Sequence, residues 1–291
     1  MDLKGYLLNC FIGGEEVIHK PNGSLVRNKI ALSFAGYEIM IVQRPEVISG
    51  NPGDYKGQAV ETTEVTVHNL ELSNIESVID KLRGLATLLS FITCSQVVLY
   101  GWECSGVNPS AQYWSVVGRT GFFRPVLEIM HGRIVREFLE KVWPFYFRLE
   151  QPRKLRVAID YFVSAQVLGL PLELKLITIF VLFENLKSTF ASDRGYKYKK
   201  GYYQKPLGGR WSFKELLMEM FSDVAMNPSI DSIITLRNEI IHSGISQMPY
   251  STQTQIYENC QDVVREYFMR LLRFSGSFFL YSGRGMRAKS I

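Results

Sequence analysis

The hydrophobic pattern of this 291-residue chain changes period part-way along, and that change constrains the fold more than any single motif. The first ~125 residues hold short strand-like runs: Tyr6 to Ile12, Lys29 to Phe34, Glu38 to Val42, Glu64 to Val67, Val97 to Trp102 and Tyr113 to Val117. Turn signals such as Pro21-Asn22-Gly23 and Asn51-Pro52-Gly53 separate them. One helix interrupts the series, opening at Ser73-Asn74-Ile75-Glu76, with Ser73 expected as N-cap and Glu76 as the second half of a capping box, and running to about Phe91. From about Pro125 onward the apolar residues recur at helical spacing. Helices are expected near 128–142, 152–167, 171–191, 212–221, 229–243 and 252–274, with Pro144, Pro152 and Pro171 read as starts or stops. The pattern predicts an α+β protein: an N-terminal mixed α/β domain over 1–125 with a recognition or regulatory role, then an all-α bundle over 126–291.

Several function classes lose support at this level. The N-terminus, MDLKGYLLNC, lacks the basic region, apolar core and small-residue cleavage site of a secretory signal, which makes the cytoplasm the expected compartment. Cys10, Cys94, Cys104 and Cys260 are widely spaced, with no CxxC pair and no histidine at ligand spacing, so neither a disulfide framework nor a zinc site is expected. The sequon at Asn22-Gly23-Ser24 has no meaning in an unsecreted chain. Gly84 to Trp102 carries no charge, but its Thr, Ser and Gln residues read as a helix end passing into a strand, and no membrane role is expected. Glycine-rich dinucleotide or phosphate loops, GxSxG and HExxH are absent, and no cofactor or metal is expected. His19, His68 and His131 share no acidic partner and read as surface or packing residues. Phe278 to Tyr281, near the basic C-terminal end, reads as a segment that docks on a partner.

The formal net charge of +5 hides a local concentration. Asp193 to Lys214 holds seven Lys/Arg against one acid, and Tyr267 to Ile291 holds five against none, so the rest of the chain is net acidic. The first of these segments, DRGYKYKKGYYQKPLGGRW, is long for a connection inside a compact bundle. In it Tyr196, Tyr198, Tyr202, Tyr203 and Trp211 alternate with Lys197, Lys199, Lys200, Lys205 and Arg210. Cations attract phosphates and aromatic faces accept stacked bases, so Lys197, Tyr198, Lys199, Lys200, Tyr202, Tyr203 and Arg210 are candidate RNA-binding residues. On a plain reading the segment is a solvated loop.

Charge inside an apolar helix is the sharper signal. In LRNEIIHSG, Leu236 to Gly244, Arg237 falls about 40° from Ile233 at ~100° per residue, within the apolar arc that runs from Leu236 and Ile240 through Ile233 to Ile241 and Ile234. A guanidinium there needs an anion or must snorkel to the edge. Asn238 and His242 lie four apart on a shared face, and Gly244 ends the helix, leaving His242 beside the negative end of its dipole. Glu184, in LITIFVLFENL, is the other charge with apolar neighbours on both sides; if the two helices pack together, it can satisfy Arg237. The structural alternative is a buried ion pair and a helix-ending histidine.

Arg237-Asn238-(three residues)-His242 resembles the R-x4-6-H signature of HEPN domains, and the segment with FVLFENL resembles that family's upstream helix. The resemblance spans roughly Pro152 to Phe274. More loosely, Ile79 to Trp102 is similar to the domain preceding HEPN in ApeA-like bacterial antiphage proteins. What the resemblance implies is a metal-independent endoribonuclease whose composite site forms where two HEPN domains pair as a homodimer, in antiviral defence or toxin-type growth arrest, with a possible activating protein or phage component. Arg237 would then bind the scissile phosphate and stabilise developing charge, and His242 would serve proton transfer as the RNA 2′-OH attacks. Asn238 would orient His242 or touch phosphate, and Glu184 would hold Arg237. The alternative is a non-catalytic HEPN-type dimerisation or RNA-binding module.

Overall fold

A computed structural model describes residues 1–19, 25–114, 124–283 and 286–291. The chain forms two compact units, Met1–Pro144 with Ser277–Phe279, and Phe145–Gly276 with Leu280–Ile291. The units divide inside a long helix, beyond the change of texture near residue 125.

The first unit is built on one seven-stranded sheet in which every described pairing is antiparallel. Its strands are β1 (Leu3–Leu8), β2 (Glu16–His19), β3 (Leu25–Phe34), β4 (Tyr37–Gln43), β5 (Glu61–Val67), β6 (Val98–Cys104) and β7 (Ala111–Tyr113), in the order β2-β3-β4-β5-β1-β6-β7. A short helix α1 (Pro45–Ser49) follows β4. Between β5 and β6 runs α2 (Ile75–Thr93), which ends where Cys94 turns left-handed. The uncharged stretch therefore is a helix end passing into a strand, and no helix among the described residues is long and apolar enough to cross a membrane.

Alternation along the strands fixes which sheet face is buried. Leu3 and Leu7 of β1, Ile39 and Ile41 of β4, and Val65 and Val67 of β5 are all at most 2% exposed. Helix α2 packs on β1 and β6, and Gly5 permits its approach: a Cβ there would lie 3.0 Å from side-chain atoms of Leu82 and Leu99.

Local chemistry shifts several expected boundaries. The first strand stops at Leu8 because Asn9 adopts positive φ and its side chain bonds the backbone of Val60 and Gln96, so Phe11 and Ile12 are buried outside the sheet. Ser73 does not cap α2: it sits in a 3-10 turn, and Asn74 is the N-cap with no side-chain bond. Pro144 is no boundary. Helix α3 (Gly132–Arg153) runs through it, with Leu139, Val142 and Tyr146 fully buried around the proline, burial that outweighs the ~3 kcal/mol cost of an interior proline. The sequon and residues 115–117 of the last expected strand lie outside the described residues. Cys10, Cys94, Cys104 and Cys260 are buried free thiols.

The second unit contains the end of α3, then α4 (Leu155–Ser164), α5 (Leu172–Asp193), α6 (Phe213–Ser222), α7 (Asp231–Ser243) and α8 (Tyr250–Leu271). Helix α5 is central, packing against α4, α6, α7 and α8, and its buried residues include Leu176, Ile179, Leu182, Phe183 and Leu186. A capping box does form, at Ser212 and Glu215 at the start of α6. Phe278 and Tyr281 are buried within the chain, with the Tyr281 backbone N–H donated to Asp262, so this segment is already packed internally.

Shortening a side chain beneath the sheet leaves a cavity that its neighbours cannot refill. Leu85→Ala, at a fully buried position of α2, is expected to lower unfolding free energy by about 2–5 kcal/mol in a urea titration monitored by circular dichroism.

Candidate functional site

Three helices and a hairpin of the second unit enclose a cleft of about 530 Å³. Glu184, Lys187 and Ser188 come from α5, Phe213 and Leu216 from α6 and Arg237 from α7. The remaining wall is the lysine- and tyrosine-rich segment between α5 and α6. It is a hairpin, β8 (Tyr198–Lys199) paired with β9 (Tyr202–Tyr203), whose turn residues Lys200 and Gly201 both have positive φ as a type I′ turn requires. An antiparallel bridge between Gln204 and Arg210 extends it.

Aromatic contacts give the hairpin its position. Tyr196 stacks on Trp211 at 5.7 Å with rings inclined by 17°, and Tyr203 donates its hydroxyl to the Ser188 carbonyl at 3.1 Å. Tyr198 meets Tyr203 edge-on at 5.0 Å, and Arg210 lies 4.9 Å over Tyr202. Tyr198, Tyr202 and Tyr203 line the cleft; Lys197, Lys199, Lys200 and Arg210 do not. Of the seven cations between Asp193 and Lys214, Arg194, Lys205 and Lys214 are taken by Asp223, Glu215 and Asp231. Lys197, Lys199, Lys200 and Arg210 make no ion pair among the described residues, so the basic surplus survives around the hairpin.

At the floor of the cleft, Arg237 donates from one terminal nitrogen to Glu184 Oε1 at 2.6 Å and from the other to Asn238 Oδ1 at 3.0 Å. Its guanidinium lies 4.6 Å over the Phe213 ring, and its buried Nε–H has no hydrogen-bond partner. Glu184 is shared: Lys187 Nζ approaches Oε2 at 2.7 Å and also lies 5.5 Å over Phe213. Two cations on one carboxylate leave the floor with one positive charge in excess. The indole N–H of Trp211, another lining residue, is also buried without a hydrogen-bond partner. This arrangement can receive an anion between aromatic walls.

The predicted residues are thus partly brought together. Glu184 meets Arg237 as the two otherwise expensive charges required. Asn238 accepts from Arg237, not from His242. His242 is exposed in the last turn of α7, lines no part of the cleft and makes no hydrogen bond or ion pair among the described residues. Lys187 and Phe213 belong to the site and escaped the sequence reading. Lys187 had a signal, being three residues after Glu184 on one helical face; nothing local marked Phe213. Among the described residues no group of His, Cys, Asp and Glu could hold a metal ion.

No protein-family model matches this chain, and no curated protein or solved structure matches it.

At the rim, Lys205 bonds Glu215 and depresses its carboxyl, which also accepts from the Ser212 backbone N–H, from the ordinary 4.5 to about 2. A depressed carboxylate adds stability above its unfolded value, and that contribution disappears as pH falls toward 2. A side-chain NMR titration should place the Glu215 midpoint near 2, and Lys205→Met should move it upward, toward 4.5.

Proposed function

We propose that the protein is a metal-independent endoribonuclease that cleaves RNA by attack of the 2′-OH on the adjacent phosphate. The observation that carries the reading is the floor of the cleft: a guanidinium clamped by Glu184 and pressed on Phe213, with Lys187 as a second cation on the same carboxylate, beneath a hairpin that presents tyrosine rings and lysines without ion pairs among the described residues. Cleavage without a metal calls for a permanent cation at the phosphate and a group that exchanges a proton near neutral pH. Arg237 and His242 are the arginine and the histidine of the motif. The resemblance of Arg237-Asn238-x3-His242 to the HEPN signature supports the same assignment.

A single protomer does not put both groups in one cleft. Five residues apart on α7, Arg237 and His242 project about 140° from each other. The reading therefore includes a homodimer in which His242 reaches a composite site. Ile241 and Ile245 are 44% and 60% exposed beside His242, and Leu174 and Val181 are exposed on α5, which packs against α7. Apolar side chains so placed support self-association around the motif. The first unit then serves recognition of a partner or activating signal. A dimerisation or RNA-binding module without cleavage is the competing reading.

Labelled RNA incubated with the protein in EDTA should be cut, and Arg237→Ala or His242→Ala should each lower the rate by roughly a hundredfold or more, as expected for loss of a charge-stabilising or proton-transfer group. RNA binding without cutting would favour the module. Ile241→Asp should convert a dimer to a monomer in sedimentation velocity and abolish cleavage while leaving the circular dichroism spectrum unchanged.

A further inference from the structure

A second cavity, of about 440 Å³, lies where α3, α5, α6 and α8 end, and five arginines line it: Arg148, Arg153, Arg194, Arg270 and Arg273. Helix C-termini carry partial negative charge, which accounts for some arginine there. The last carbonyls are already used, however: Phe190 accepts from Arg194, Glu219 from Asp223, Phe268 from Leu272 and Arg270 from Arg273, all through backbone N–H groups. Three of the arginines are matched by carboxylates, Arg194 by Asp223, Arg270 by Glu266 and Arg153 by Asp193, and Asp193 and Asp223 line the cavity too.

The other two are not matched in this way. Arg148 and Arg273 both lie over the ring of Phe145, at 5.3 and 5.1 Å, and neither has a carboxylate partner among the described residues. Gathering two like charges on one ring costs free energy that an anion between them would recover. Arg153 is only 3% exposed; it donates to the Tyr267 hydroxyl at 2.5 Å and stands 3.7 Å from Asp193, while its buried Nε–H has no partner. A buried unsatisfied guanidinium nitrogen is expensive, and Arg153 is a lining residue of a cavity whose mouth holds two unmatched cations.

We infer that this pocket binds a phosphate-bearing ligand, with Arg153 at its floor and Arg148 and Arg273 closing on the phosphate oxygens. Guanidinium forks match phosphate geometry, and the volume lies in the range that holds a nucleotide. The source of the phosphate is either a small nucleotide or the backbone of an RNA. The pocket is independent of the cleft beneath the hairpin, so it stands whether or not the protein cuts RNA.

Calorimetric titration of the full chain in chloride buffer, with pyrophosphate, a nucleoside diphosphate and a short single-stranded RNA as separate probes, tests the assignment. Saturable binding is expected, weakened roughly tenfold or more by the double substitution Arg148→Ala/Arg273→Ala, which removes two charged donors from exposed positions. Binding of pyrophosphate and the diphosphate identifies a small ligand; binding of RNA alone, lost in the same variant, identifies a backbone phosphate. No saturable binding of any probe, or equal binding by the variant, overturns the proposal. Binding by a variant without RNA cleavage, such as Arg237→Ala, should persist.

Discussion

The contact between Arg237 and Glu184 is the constraint around which the second unit is arranged. Helix α5 is packed on several sides, and its Glu184 carboxylate, 38% exposed, still draws cationic company. Arg237 supplies it from α7 and Lys187 from the next turn of α5 itself, so one anion is held between two cations. The Phe213 ring lies under both cations and fixes the plane of the guanidinium. The pair is incomplete as a purely structural device, because Nε of Arg237 stays buried without an acceptor. A packing role explains the ion pair; it does not explain the cleft above it.

Helix α5 links that cleft to the arginine pocket. Glu184 faces the first, and Asp193, at the end of the same helix, lines the second. Helix α6 repeats the arrangement, with Phe213 at its start in the cleft and Asp223 just past its end in the pocket. The hairpin grows directly from the end of α5 and is pinned back on that helix through Tyr203 and Ser188. An anion that drew Arg194 or Arg153 from its carboxylate would act on elements that also carry the cleft.

Much of this was legible in the sequence because burial leaves a periodic trace. The helices of the second unit and the pairing of Glu184 with Arg237 follow from apolar spacing and from the expense of isolated charge. The sheet was harder to read. Strand β2 and the first residues of β3 lack a strong alternating run, and pairing across a sheet is a non-local choice that a single window does not encode. Proline misled at Pro144, where packing overrode the local penalty, and Ser73-x-x-Glu76 matched a capping box that the chain builds elsewhere. Within the site, helical spacing shows which residues are able to touch, not which donor an acceptor takes, and Asn238 Oδ1 takes Arg237. A full charge on the neighbouring Arg237 outcompetes an imidazole one turn away.

The account stands on Arg237 meeting a phosphate whose own ribose supplies the nucleophile. Mass spectrometry of RNA ends released in EDTA tests this most directly, using two oligonucleotides that differ only by a 2′-deoxy sugar at the cut position. The account predicts a 2′,3′-cyclic phosphate on the upstream fragment and an intact deoxy-substituted strand. A 3′-hydroxyl end, or cutting of the deoxy-substituted strand at the same bond, would contradict it.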